Sequence, residues 1–430
     1  MGVLAPAEEG LRCQRCTTVY PFFGRIPCLV DDPGLWRALW LSRLESYSSS
    51  AEQRAGDLRN EAQNVRVLPR TRERLLRLAT GFEGQVEAID QLFEPVQAGA
   101  DLLPALAIPS GPESEAPIAV LESYENIFRD WVWGQDECDL VVSLLSALVP
   151  EEPGRVAVYG PGAARVTADL HQRCRARVTV ALDVNPLPLL VADKIMSGEA
   201  VKLVEFPIDP VAENDVVLTR TMTRPYEIRE GVALAFADPM RPPFAPGSLD
   251  VVLTTWFIDS ARGDLSQTAA AINRVLRPGG LWVNLGPLRF HTLVSRAHTF
   301  EEALDIIRQS SFEFVVSDRQ RVPYLDSPLS GSHRSETALR FSARKTGEAA
   351  PVEMPDPFPP WVTNPTTPIP ITPGLIALGR TSMFTTAVLS MIDGTRSVID
   401  VAKALGAAWH IEPARLENEL RAFLAKLPTG

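Results

Sequence analysis

Between residues 155 and 344 short apolar runs alternate with amphipathic segments, and the alternation predicts the core of the fold. The runs at 155–159, 178–182, 232–236, 249–258 and 281–285 are rich in Val, Leu and Ala and are bounded by Gly, Pro or Asp. Such runs are too short for helices and read as strands buried on both faces. Leu140, Val141, Leu144, Leu145 and Leu148 share one helical face, and residues 265–276 and 299–310 carry the same 3.6-residue period. The pattern predicts helices between the first six strands, then a hairpin of strands at 312–321 and 338–344. A parallel sheet covered by helices follows, and its ligands sit beyond the carboxyl ends of the strands.

The stretch 249–291 carries the unit most completely. An apolar run ends in Trp256-Phe257-Ile258-Asp259; a helix follows, then Arg277-Pro278-Gly279-Gly280, then a run ending in Asn284-Leu285-Gly286-Pro287, with His291 just beyond. Asp259 and His291 are therefore expected at one edge of the sheet. Each has a plainer reading, Asp259 as a helix N-cap and His291 as a satisfied core histidine.

Outside this core the pattern changes. Residues 1–34 contain Cys13, Cys16 and Cys28 around a Tyr20-Pro21 strand start, and 35–117 are helical to about 103, then rich in Pro, Ser and Glu. The catalytic domain is expected at 118–345, with an irregular Pro-containing insertion at 200–232. A Pro-dense linker occupies 346–373, and 374–430 carry three helical signals at 383–391, 398–405 and 413–427.

Composition narrows the function classes. The 430 residues are 45% hydrophobic and 22% charged, ordinary for a globular protein. A net charge of −11 argues against a nucleic-acid partner, which needs clustered Lys and Arg. No apolar run approaches the roughly 20 residues that span a bilayer, and the acidic MGVLAPAEEG start is unlike a signal peptide, so no membrane partner and a cytoplasmic location are expected. Five cysteines suggest thiols rather than a disulfide framework. Cys13, Cys16 and Cys28 fall one short of the four ligands of structural zinc, so a metal-free hairpin is expected unless a second subunit completes the site; a homodimer is one candidate state.

At 160–165, Gly160-Pro161-Gly162-Ala163-Ala164-Arg165 follows the first strand and opens a helix, a turn that lets backbone approach an anionic ligand. Asp183 ends the second strand, where an acidic side chain can accept from ribose hydroxyls. Asp238 ends the third, and could equally start a turn at Pro239. Arg129 and Arg165 each have surface ion pairing as the plain reading.

These motifs together carry a resemblance. Arg129-Asp130-Trp131, the Gly160/Gly162/Arg165 turn, Trp256 through Ala261, and Arg277 through His291 are similar to the carnosine N-methyltransferase family over residues 120–345. The resemblance implies an α/β, class I, Rossmann-like, seven-stranded methyltransferase fold that uses S-adenosylmethionine. It implies Asn126, Arg129 and Arg165 near the methionine carboxylate, Gly160 and Gly162 as the close-approach turn, Asp183 at the ribose and Asp238 at adenine. Asp259 and His291 would hold and orient an imidazole, with Phe257, Tyr324 and His333 as further substrate contacts. Departures from the family pattern are Asn126 for Gln, Ala164 for the third glycine, Leu288-Arg289-Phe290-His291 for an aromatic LLYH, and a tyrosine pocket reduced to Tyr324 beside His333, Arg334 and Ser335. Residues 1–34 resemble half of a zinc ribbon. Residues 374–430 resemble a winged-helix module that binds leader peptides, with dimerisation or docking as the plainer role.

The expected activity is methyl transfer to an imidazole nitrogen of a histidine-containing peptide or small molecule. Another small-molecule amine, a non-catalytic SAM-binding scaffold and, more remotely, a nicotinamide oxidoreductase are the competing readings.

Overall fold

The computed structural model describes residues 3–8, 10–98, 120–290, 294–354, 387–388, 390–391, 396–413 and 416. The chain divides into two units, Met1–Ala107 with Pro117–Pro355, and Ile108–Ala116 with Asp356–Gly430.

The first unit opens with strands β1 (Leu4–Ala7), β2 (Gly10–Cys13) and β3 (Val19–Tyr20) in one small antiparallel sheet, then a hairpin of β4 (Phe22–Phe23) and β5 (Ile26–Pro27). Helix α1 (Pro33–Ala62) starts where Asp32 accepts the Leu35 N–H at 2.9 Å and Pro33 occupies the first turn. Helix α2 (Pro69–Gln97) packs beside it. A short α3 (Tyr124–Phe128) runs into a π-helical turn, Arg129–Trp133, and then α4 (Gln135–Ser146).

The α/β core follows as β6 (Arg155–Tyr159), α5 (Arg165–Cys174), β7 (Val178–Asp183), α6 (Pro186–Met196), β8 (Val201–Glu205), β9 (Leu218–Met222) and β10 (Val232–Phe236). It continues as β11 (Leu249–Thr255), α7 (Leu265–Val275), β12 (Leu276–Gly286), α8 (Phe300–Gln309), β13 (Phe312–Pro323) and β14 (Ser335–Lys345). The main sheet runs β10-β7-β6-β11-β12-β14-β13, with β14 antiparallel to both neighbours and the other pairings parallel. That order, with its single reversed strand, is the class I methyltransferase fold.

Two local expectations give way. No helix joins β10 to β11; the link turns at Asp238 through Pro242 and Pro243, which suit a loop better than a helix interior. The insertion is not irregular either. β8 and β9 pair antiparallel from Val201↔Met222 to Glu205↔Leu218, and Val201, Leu203 and Met222 are buried.

The amino-terminal hairpin completes one side of the sheet. Cys28 bridges to Phe236 in parallel, and the Leu29 N–H donates to the Phe236 carbonyl at 2.7 Å. Phe236 stacks on Trp36, and Trp36 on Phe23, so strand, hairpin and α1 share one core. Cys28 lies in that core, where burial pushes its thiol up to about 12. Among the described residues no group of three or more His, Cys, Asp or Glu is placed to hold a metal, and no helix is long and apolar enough to cross a membrane.

In the second unit α9 (Val398–Trp409) is opened by a capping box of Ser397 and Asp400 and buries Val401, Ala402 and Leu405 with Val388 and Leu416. Most of the expected helix at 413–427 and most of the linker lie outside the described residues.

Candidate active site

The glycine turn after β6 is walled on two sides. Gly160 and Gly162 have φ of +67° and +57°, the left-handed region that glycine enters without strain. A Cβ on Gly160 would lie 3.2 Å from Phe257 Cβ, and one on Gly162 would meet Asp130 at 3.5 Å, with Arg129 and Asn126 at 3.9 Å. Asn126, Arg129, Gly160, Gly162 and Phe257 are therefore neighbours. Ala164 shares the left-handed conformation at φ +61°, so the departure from glycine there carries backbone strain.

The π-helical turn explains how Arg129 and Asp130 reach this place, since an extra residue per turn swings consecutive side chains to one side. Gly134 permits it: a Cβ there would stand 2.4 Å from Arg129 Cγ and 2.5 Å from its carbonyl oxygen. Arg129 Nε and Nη2 donate to Asp130 Oδ1 at 2.8 and 2.6 Å, and Nη1 reaches Glu137 at 3.4 Å. Asp130 Oδ2 accepts the Ala163 N–H at 3.0 Å while Trp131 Nε1 donates to the Ala163 carbonyl at 2.9 Å, so both backbone groups of Ala163 are held. Burial works against the charge of Arg129, but Asp130 beside it raises its pKa.

Arg165 is held from three sides: its Nε pairs with Asp169, Nη1 reaches the Asp130 carbonyl at 3.3 Å and Nη2 donates to Gln135 at 2.6 Å. These bonds tie α5 to the π-helical turn.

Asp183 and Asp238 lie at the carboxyl ends of adjacent strands, with Ala237 N–H donating to the Asp183 carbonyl at 3.0 Å. Burial pushes the Asp183 carboxyl up to about 6, against the N–H groups of Asn185 and Val184 that favour its charge. Asp238 does make the turn considered from sequence, accepting Met240 N–H at 2.9 Å. Burial also raises its pKa, with Arg262 opposing. Sequence reasoning missed three neighbours. Glu122, Arg43 and Arg262 interact with one another, and burial raises the Glu122 carboxyl and lowers the Arg43 guanidinium. The helical extension thus supplies Arg43 to this side.

On the opposite side Asp259 is not a helix cap, because Asp264 caps α7. Its Oδ2 accepts the Arg289 N–H at 2.9 Å, tying the loop after β11 to the loop after β12. Burial raises its pKa, and the N–H and charge of Arg289 pull it back. Trp256 is left-handed at φ +48°, and its N–H donates to Leu285 O at 3.1 Å. Gly286 makes room for it, since a Cβ there would meet Trp256 N at 2.9 Å.

Trp256 stacks on Tyr324 with ring centroids 5.2 Å apart, and the Asn126 side chain lies near enough to the Tyr324 hydroxyl to oppose the rise in its pKa that burial causes. Tyr324 therefore joins the two halves. Trp256 Nε1 donates to Glu336 Oε2 at 2.8 Å, and Glu336, 6% exposed, also pairs with Arg289 at 2.7 Å and Arg334 at 3.3 Å. Glu336 and Arg289 carry no motif signal of their own. His333 is not brought in: it is 84% exposed and meets Asp326 at 2.9 Å. His291 lies outside the described residues.

Beneath the site is a buried polar layer. Trp282 Nε1 donates to Thr254 Oγ1 at 2.9 Å, Thr254 to Asn284 Oδ1 at 2.8 Å, and Asn284 Nδ2 to Leu339 O at 2.8 Å. The chain of bonds joins β11, β12 and β14 below the loops, which fixes their starting points.

Known proteins match this part of the chain. The profile of the family described as carnosine N-methyltransferase matches residues 200–346. The carnosine N-methyltransferase of Dictyostelium discoideum is 25% identical over 202 residues, 42% of either chain, and that of Drosophila melanogaster 33% over 106 residues, 23% of either. The chain thus spans less than half the length of these curated relatives. Among solved structures, a phosphoethanolamine N-methyltransferase from Haemonchus contortus is 16% identical, covering 52% of this chain and 56% of its own, with a TM-score of 0.35. The family resemblance read from the motifs is borne out over the matched stretch.

Proposed function

We propose that this protein transfers a methyl group from S-adenosylmethionine to an imidazole nitrogen of a histidine-containing peptide or small molecule. The observation that carries the reading is Asp259: a carboxylate raised in pKa by burial, held by a backbone N–H from the next strand's loop, with Phe257, two residues before it, packed on Gly160.

The residues present fit the methyl donor. A side chain at Gly160 would crowd Phe257, the left-handed backbone at both Gly160 and Gly162 favours glycine, and Asp183 keeps a carboxyl at the strand end with backbone donors as its hydrogen-bond partners. Asn126 and Arg129 stand beside Gly162, where they would hold the amino-acid end; Asp183 would take the ribose and Asp238 the adenine edge. When bound, the donor supplies its methyl as an electrophilic sulfonium substituent.

The chain's own part is orientation and proton handling. An imidazole attacks only through an unprotonated nitrogen, so the other nitrogen carries the proton and needs an acceptor. Asp259 provides one, which selects the tautomer and strengthens the nucleophile. Methyl transfer would leave the ring an imidazolium, whose remaining N–H the Asp259 carboxylate would stabilise. That proton then passes to water through Asp259. Stacked Trp256 and Tyr324 wall the site and keep water from the reacting pair.

Calorimetry with S-adenosylhomocysteine, beside transfer of labelled methyl to histidine, carnosine and histidine peptides, tests the reading. Binding with imidazole-dependent turnover is expected. Binding without any imidazole methylation would overturn the acceptor, and no binding at all would overturn the enzyme.

A further inference from the structure

Glu336 is buried, yet it draws two arginines from separate loops. Arg289 follows β12 and Arg334 precedes β14, and both reach the same oxygen, Oε1, at 2.7 and 3.3 Å. The other oxygen is taken by Trp256 Nε1. Glu336 and Asp259, which also feels the Arg289 charge, set two carboxylates against the two guanidiniums, so the pair is gathered at the site rather than driven apart. Both side chains are about half exposed, at 50% and 43%, so part of each planar donor fork still faces outward.

Their place matters as much as their charge. Arg289 is anchored through its backbone N–H to Asp259, so its side chain departs from the residue that receives the imidazole proton. Arg334 lies 5.1 Å from the centre of the Tyr324 ring, which is itself stacked on Trp256. Surface ion pairs are ordinarily worth little and imply nothing. Here the shared carboxylate is 6% exposed and bonded to Trp256 in the wall of the site, and the charge of Arg289 reaches the Asp259 carboxylate.

We infer that Arg289 and Arg334 form an anion subsite for a carboxylate of the methyl acceptor, carried on the same molecule as the imidazole, with Glu336 as the positioning residue that holds the two guanidiniums. The inference rests on the imidazole reading above and narrows its substrate class. Two sources share the chemistry: the α-carboxylate of a carboxyl-terminal histidine, and the side chain of an acidic residue next to an internal histidine.

The test uses the full chain with three probes: N-acetyl-Gly-His with a free carboxylate, its carboxyl-terminal amide, and N-acetyl-Asp-His amide. Methyl transfer gives KM for each, and calorimetry in the presence of S-adenosylhomocysteine gives affinity without turnover. The free acid or the Asp-containing amide is expected to beat the neutral amide by about tenfold or more, as charge-assisted pairs of this kind do. Which of the two wins assigns the source. In Arg289→Ala/Arg334→Ala the preference should fall to within roughly twofold, and in Arg289→Lys/Arg334→Lys part of it should survive because charge remains while the fork is lost. Arg289→Ala keeps the backbone donor to Asp259, so the anchor is not removed with the charge. An unchanged preference in the double alanine variant, or none in the parent, overturns the inference. If the acidic probes bind and lose affinity in the variant but no imidazole is methylated, the subsite stands and the proposed reaction falls. If all probes are methylated with equal KM, the reaction stands and the subsite falls; if none binds, both fall.

Discussion

The two halves of the site are built differently. The side proposed for the methyl donor leans on backbone: left-handed glycines after β6, a π-helical turn that sets Arg129 and Asp130 against each other and Ala163, and carboxylates at the ends of β7 and β10. The side proposed for the acceptor is made by side chains from three loops, joined through Asp259, Glu336 and Tyr324 and left partly open to solvent. Backbone geometry holds a part common to every substrate of the reaction, whereas loop side chains can change without disturbing the sheet. A chain can thus keep methyl-donor binding while its acceptor drifts, which fits a family match alongside a changed LLYH segment.

Removing Asp259 should separate the halves most strongly. Asp259→Ala is expected to lower kcat by about 10²–10³, the usual worth of a general acid-base group, while S-adenosylhomocysteine still binds by calorimetry. Full turnover in that variant would leave the acceptor side without its organiser. A backbone change should do the reverse. Gly160→Ala meets Phe257 at 3.2 Å in a left-handed conformation, so donor affinity should fall roughly tenfold. Gly279→Ala, left-handed at φ +74° with no atom within 4 Å, is the control that carries strain alone and should leave that affinity in place.

A smaller effect, and one with two signs, is expected at Asp183. Its pKa is raised from 3.8 to about 6, so its contribution to stability is fully present below the unfolded value and is lost as pH rises through about 6. Asp183→Asn should therefore raise the neutral-pH Tm, by about 2–4 °C per kcal/mol recovered, while weakening S-adenosylhomocysteine binding at pH 7. In the parent that binding should weaken as pH falls from 7 to 5, and the asparagine variant should flatten the dependence. A destabilised Asp183→Asn would contradict the cost assigned to its burial. Ala164→Gly is the smallest: relief of the left-handed strain should stabilise by up to about 1 kcal/mol, less the entropy of an added glycine, readable in thermal melts.

What could be read from the sequence follows the same division. Strand positions, the glycine turn and Asp183 depend on local pattern and adjacent residues, so periodicity and spacing reveal them. Asp259 was placed because it ends a strand, but its partner Arg289 is 30 positions away and emerges only when β11 and β12 align. Glu336 meets Trp256 across 80 positions and Arg43 reaches in from α1, and neither has a spacing to betray it. The β8–β9 hairpin was hidden because its strands are short and the intervening prolines looked like irregular chain. His333 and Arg165, chemically suggestive in the sequence, meet Asp326 and Asp169 within the protein. Local pattern tells where a side chain starts, and only tertiary approach tells what it meets.

One feature near the amino terminus bears on how this protein behaves in a crowded solution. The hairpin that pairs Cys28 with Phe236 covers the outer rim of β10, whose unpaired backbone groups would otherwise invite another molecule's strand. The opposite rim, β13, is longer but defends itself with Glu313, Asp318, Arg319 and Arg321. A version shortened to begin at the α/β core would bare β10 and the rings of Phe236 and lose the cover of Trp36, and it should clump where the full chain stays dispersed. The first thirty residues act, in that sense, as the molecule's built-in antiaggregant.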